Sequence, residues 1–308
     1  MTTPSLVNSH SVDITYGTKL TTAYSDKWHA AMEFATRQPF ISHITEELSD
    51  TVHSHRLVFL IGPYKTGKTS IASHTFPNVE RINIHPRGFF GLEDLLQTNR
   101  TEFNRLEEII NGINPPEVLF LDEYYGVALE LGPDYIKKLA EKTRVVCFAH
   151  PMCLDHESQH YDVLMAPFSD VPVVKIKLWD DEIIEHICEI FGFEKKFSDD
   201  IVWLAGGMPG IFDLLKFIGG EFVVDEDIIS WYGQTFFDTL GASAKRLLTT
   251  IAEDGNVHSI PSSLDFLHDF GYIRLGSDGY DIWPGWLLAR VSETSMDFFL
   301  QCARCRYL

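Results

Sequence analysis

The chain has 308 residues, 45% hydrophobic and 13% aromatic, enough apolar material for about two cores. That composition excludes disordered, collagenous and repeat-only chains. A formal net charge of −19 argues against a surface that embraces nucleic acid or an anionic membrane. No basic, apolar leader opens the sequence, and no later apolar run approaches the ~20 residues that span a bilayer. A soluble, cytoplasmic protein with no membrane partner is expected. Five cysteines, Cys147, Cys153, Cys188, Cys302 and Cys305, are too scattered for a disulfide framework and read as reduced thiols.

Residues 1–33 read as a polar lead-in. From Phe34 the spacing of Phe40, Ile41, Ile44 and Leu48 predicts an amphipathic helix. RLVFLIG (56–62) is a short continuous apolar run of the kind found in parallel strands covered on both faces. Four more runs follow, at 79–84, 117–122, 144–149 and 171–178, with helical patterns at 69–75, 92–111 and 133–142. Strands alternating with helices predict an α/β domain over 34–180, a parallel sheet with helices on both faces. Residues 181–240 then read as helices throughout, including PGIFDLLKFIGG, and predict a helical lid. Residues 241–308 give a helix, a second helix over Ser262 to Phe270, and two alternating strands around Gly276-Ser277-Asp278-Gly279. That order predicts a winged-helix module.

The chemistry concentrates at Gly62-Pro63-Tyr64-Lys65-Thr66-Gly67-Lys68-Thr69, which satisfies G-x-x-x-x-G-K-[ST] directly after an apolar strand and before a helix. Its glycines let backbone N–H groups converge on phosphates, and the helix that follows turns its positive end to the same place. Residues 62–69 together with Ser70 are the expected nucleotide contacts. Lys68 is expected to neutralise the terminal phosphates, and the Thr69 hydroxyl to ligate Mg²⁺. The run EVLFLDE ends in Asp122, expected in the magnesium shell, and Glu123, expected to polarise the attacking water.

These motifs resemble the additional-strand P-loop ATPases, which include AAA+ proteins and the STAND signal-transducing ATPases. Phe34-Ala35-Thr36-Arg37-Gln38 is similar to the F-x-G-R-E opening motif of the STAND and archaeal-ATPase side, whose relatives include initiators of the Orc type. Thr36 stands where that motif has glycine. Gly206-Gly207-Met208-Pro209-Gly210 is similar to the family's lid motif. The resemblance implies that Pro209 lies against adenine and that ATP is the nucleotide. It also implies a polar residue after the fourth strand, and His150 stands there. No arginine occurs in the stretch after His150 or in the GIFDLL segment, which leaves Arg144 and Lys216 as candidate cis cations. A site without a cis arginine is expected to turn over slowly unless a protein partner or a second subunit supplies one.

Cys153, His156 and His160 have ligand-like spacing, but no other zinc signature accompanies them, and the loop reads as mobile and polar. Cys302 and Cys305 form a lone C-x-x-C. The expected function is an Mg²⁺-dependent ATP-driven switch, with a DNA-acting ATPase as the alternative. Charge disfavours DNA: from Leu240 to Leu308 six Lys and Arg face eight Asp and Glu, and the second helix carries Asp265 and Asp269 with no Lys or Arg. A protein partner or self-association, through the lid and C-terminal module, is favoured instead.

Overall fold

A computed structural model describes residues 26–27, 29–84, 92–122, 124–158, 161–193, 195–210, 215–218, 221–224, 233–234, 236–254, 257–283 and 285–292. Glu123, His160, Cys302 and Cys305 lie outside the described residues.

Five parallel strands form the central sheet: β1 (Leu57–Ile61), β2 (Glu80–Asn83), β3 (Val118–Asp122), β4 (Arg144–Ala149) and β5 (Val173–Lys175), in the order β2-β3-β4-β1-β5. All five fall within the apolar runs expected from the sequence. Every residue of β1 is buried, as is all of β4 after Arg144, because helices cover both faces and leave no solvated side to alternate with. Helix α1 (Pro39–Ser54) lies over β1, β4 and β5 and packs on α2 (Lys68–Thr75). Helix α3 (Leu92–Ile110), α4 (Tyr124–Leu131) and α5 (Pro133–Lys142) form the other group, with α4 and α5 against β4. The ladder of Phe59, Tyr124 and Phe168 rings, packed edge to face at 5.0 to 6.2 Å, fills the interior between sheet and helix. At the sheet edge Arg105 of α3 grips the Glu80 carboxylate through two hydrogen bonds, 2.6 and 2.9 Å. Because the strands are parallel, all their carboxyl ends emerge on one side, where ligand sites of open α/β sheets form.

After the sheet come α6 (Tyr161–Leu164, before β5), α7 (Asp181–Phe191) and α8 (Lys195–Ala205). The all-helical reading of the lid fails next: Leu215–Ile218 and Glu221–Val224 are β6 and β7, an antiparallel pair in which Ile218 faces Glu221. The sequence LKFI-GG-EFVV explains this. Both arms are rich in aromatic and β-branched residues, and a Gly-Gly pair suits a two-residue hairpin connection. Lys216 is therefore on a strand and not on a lid helix.

The C-terminal region contains α9 (Ala242–Asp254), α10 (Asp265–Asp269), the hairpin β8 (Ile273–Leu275) with β9 (Tyr280–Ile282), and α11 (Gly285–Val291). It is locked to the sheet domain. The buried Asp155 carboxylate accepts the Gly241 backbone N–H at 2.7 Å and that of Glu157 at 3.0 Å. Glu157 in turn accepts the Ser243 N–H and hydroxyl, which hold its carboxyl below the usual range. Two carboxylates from one loop thus satisfy the opening turn of α9 and complement its dipole. Asp155→Ala would leave one buried and one part-buried N–H group unsatisfied and should lower unfolding free energy by about 1–3 kcal/mol, as read by denaturant titration; an unchanged midpoint would reject the lock.

Candidate functional site

The loop between β1 and α2 is shaped by two left-handed residues, Lys65 at φ 58° and Gly67 at φ 80°, with Gly67 as the residue that opens α2. Gly62 is needed for space: a Cβ there would stand 2.9 Å from the Ile176 carbonyl oxygen and 3.1 Å from Thr66 Oγ1. Thr66 is fully buried and donates to the Pro63 carbonyl at 2.8 Å. Thr69 and Ser70 lie in the first turn of α2, so the helix N-terminus points into the loop.

Lys68 Nζ donates to the Gly62 and Pro63 carbonyls at 2.8 and 2.9 Å, which holds its ammonium across the mouth of the loop. His150, the residue after β4, brings Nδ1 to 3.4 Å from that ammonium. A lysine ammonium can only donate, so in this contact Nδ1 is the acceptor. Thr69 Oγ1 donates to Asp122 Oδ2 at 3.2 Å. Lys68, Thr69, Asp122 and His150 thus converge from α2 and the ends of β3 and β4. Glu123, the next residue after Asp122, lies outside the described residues.

The candidate cations divide differently from the sequence expectation. Arg144 begins β4, at the opposite end of the strand from His150, and pairs with Glu117 at 3.9 Å. It is not at the site. Arg81 is: its Nη1 is 3.7 Å from Asp122 Oδ2. On β2 it lies one residue before the partner of Leu121 and on the same face as Asn83, which faces Asp122. No motif flags an arginine inside an edge strand.

Trp179 was also missed. Fully buried after β5, it donates its indole N–H to the Thr66 carbonyl at 3.0 Å and its backbone N–H to Gly207 at 2.8 Å. The Gly206-Gly207-Met208-Pro209-Gly210 segment is pressed onto the loop itself, for Gly210 N–H donates to the Lys65 carbonyl at 2.9 Å. Pro209 is buried in a short 3₁₀ turn at 209–210, and residues 211–214 lie outside the described residues.

The loop after His150 is not the mobile polar stretch its composition suggests. Pro151–Leu154 is a 3₁₀ turn in which Cys153 is buried, its thiol pushed up to about 12 by desolvation against a smaller opposing pull from Lys68. His156 packs on the Tyr161 ring at 4.1 Å. Among the described residues no group of three or more His, Cys, Asp or Glu is placed to hold a metal ion, and no helix is long and apolar enough to cross a membrane.

No protein-family profile and no curated protein matches the chain. Among solved structures it is similar to a Walker-type ATPase of Pyrococcus abyssi, at 13% identity and TM-score 0.46, over 81% of this chain and 95% of that one. It is similar also to a STAND protein with a tetratricopeptide-repeat sensor from Pyrococcus horikoshii (16%, TM-score 0.34, 83% of this chain and 45% of that one). A third is domain III of the replication initiation protein DnaA from Thermotoga maritima (16%, TM-score 0.38, 78% and 95%). The strand order, with β4 inserted between the loop-bearing β1 and the Asp122-bearing β3, decides the architecture. The fold is that of a P-loop NTPase.

Gly207 offers a direct check on how tightly the loop is held. It has φ 81°, and a Cβ there would stand 2.5 Å from the Trp179 carbonyl oxygen and 2.7 Å from its nitrogen. Gly112 has φ 77° but nothing within 4 Å. Gly112→Ala should cost about 1 kcal/mol, the strain of the left-handed backbone alone. Gly207→Ala should cost several times more and weaken nucleotide binding; equal thermal shifts for the two variants would contradict the packing described.

Proposed function

We propose that the chain is an Mg²⁺-dependent ATPase working as a nucleotide-controlled switch, with hydrolysis slow in the isolated protein. The observation that carries this is the convergence of the Lys68 ammonium, the Thr69 hydroxyl, the Asp122 carboxylate and the His150 imidazole beside a loop of helix-terminal N–H groups. Thr69 and Asp122 supply hard oxygen donors whose atoms already lie 3.2 Å apart, a donor set that suits Mg²⁺ and not a soft metal. Those two residues would hold the ion, directly or through water, and the ion would neutralise charge on the phosphate oxygens.

The remaining chemistry belongs to the chain. Lys68 exchanges its two carbonyl partners for phosphate oxygens, trading neutral acceptors for charged ones. Glu123 takes the proton of the attacking water. His150 presents its imidazole Nδ1 to the lysine. Arg81 adds positive charge beside Asp122, at the edge where the phosphates would meet it. The absence of an N-K-x-D guanine signature favours ATP over GTP, whereas Pro209 is buried and would meet a purine only after the 206–210 segment shifts.

The docking of the C-terminal region supports a switch whose partner is a protein or a second copy of the chain, over a DNA-acting enzyme. Helix α10, which a DNA-reading module would insert into the major groove, buries Phe266 and Leu267. Its Asp269 pairs with Lys175 of β5 at 2.6 Å, and the Phe270 carbonyl accepts the Leu178 N–H at 3.0 Å. The neighbouring Arg274 bonds Asp181 at 3.1 Å and lies over the Trp283 ring. This helix is used against the ATPase core, and a groove would meet its carboxylates with the wrong sign.

Titration with a fluorescent ATP analogue and Mg²⁺ should show Lys68→Ala weakening binding by about tenfold or more, the loss of one charge-assisted contact. Glu123→Gln should bind as the wild type does and hydrolyse at least about 10²-fold more slowly. Full turnover in Glu123→Gln would reject that residue as the base. Duplex DNA at low salt should bind weakly with or without ATP; tight binding with a steep salt slope would instead promote the DNA-acting reading.

A further inference from the structure

Tyr64 occupies a variable position of the phosphate loop, where no motif requires an aromatic residue, yet it touches the site from above. Its ring is stacked on His150, centroids 3.6 Å apart and planes 26° from parallel, and Lys68 Nζ lies 5.9 Å from the same ring. His150 opens the 3₁₀ turn Pro151–Leu154 from an extended backbone, so its imidazole hangs from a strand end on two rotatable bonds. The Tyr64 face fixes the plane of that ring and the Lys68 ammonium, 3.4 Å from Nδ1, fixes its edge. Tyr64 is itself braced. It is partly buried and packs against the hydrophobic core.

We infer that Tyr64 is a positioning residue: its stacked ring holds the His150 imidazole against the phosphate loop, so that His150 and Lys68 meet the transferred phosphoryl group as one fixed unit. This rests on the hydrolytic reading above. A histidine held in this way needs no reorganisation when charge develops beside it, whereas a histidine swinging from the strand end would spend most of its time elsewhere. The stack is made of two rings, so a phenyl ring serves as well as a phenol. What the hydroxyl does is secondary.

The test combines a spectroscopic and a kinetic readout on the full chain. In histidine-labelled protein the His150 Cε1–H resonance, assigned with His150→Ala, should lie upfield because of the tyrosine ring current. It should move downfield in Tyr64→Leu and return in Tyr64→Phe. Turnover should follow: kcat in Tyr64→Leu should fall about tenfold or more with the KM for ATP within about threefold, the pattern of lost positioning and not lost binding. Tyr64→Phe should recover most of that loss. Tyr64→Leu combined with His150→Ala should be no slower than the slower single variant, because both remove the same element. An unmoved His150 resonance in Tyr64→Leu, or additive losses in the double variant, would overturn the positioning role. Absence of ATP hydrolysis by the wild type, with the resonance change intact, would overturn the hydrolytic reading instead.

Discussion

The indole N–H of Trp179 and the carbonyl of Thr66 meet across 113 positions of sequence, and the phosphate loop depends on that bond. A loop that aims its N–H groups at an anion must turn its carbonyls elsewhere, and one buried deep within it needs a donor that water cannot supply. Trp179 provides the donor, and its ring lies 3.6 Å from where a side chain on Gly67 would begin. The same residue's backbone fixes Gly207, so the floor of the loop and the start of the 206–210 segment are both held by one residue. Movement of that segment and deformation of the loop are therefore coupled through a buried contact, and neither is a free flap.

A second constraint ties the site to the C-terminal region. The strand β4 brings His150 beside the Lys68 ammonium, and five residues later the same chain delivers Asp155, whose buried carboxylate holds the N–H ahead of α9. The intervening 3₁₀ turn is packed, with Pro151, Met152 and Cys153 all buried, and α10 lies against it. Dense interiors transmit displacement because side chains cannot slide into voids that do not exist. Any displacement of His150 would thus reach the C-terminal region by a short, packed route.

The strands were legible because each is a continuous apolar run ending where the chain changes character, and the loop at 62–69 and the strand ending in Asp122 were legible because their motifs fix residue types at fixed spacing. The hairpin β6–β7 was not. Leu214, Leu215, Phe217 and Ile218 fall at spacings that suit a helix as well as a strand, and only the Gly-Gly pair and the β-branched second arm distinguish them. Helix α4 escaped for the converse reason: YYGVALEL carries a glycine and no charged face until Glu130, and it helixes because it is sandwiched between α5 and β4. Arg81, Trp179 and the Tyr64–His150 stack are contacts between residues far apart in the chain, and no local pattern encodes them.

What the sequence did convey about the C-terminal region was its sign of charge, and the packing gives that sign a cause. Asp269 is acidic because Lys175 at the edge of the sheet needs a partner, and Asp181 is placed for Arg274 of the hairpin, half-buried enough that desolvation pushes its carboxyl up against the pull of the arginine. Both pairs are partly exposed, so each contributes little to stability; their value lies in registering the module on the core. A module selected for duplex DNA would carry cations outward on this face. Here the two pairs cross in opposite senses, Asp269 of α10 to Lys175 of β5 and Arg274 of β8 to Asp181 of α7, so each side of the contact supplies one cation and one carboxylate. The paired charges and the buried Phe266 and Leu267 together fix the register in which α10 and the hairpin meet the sheet domain.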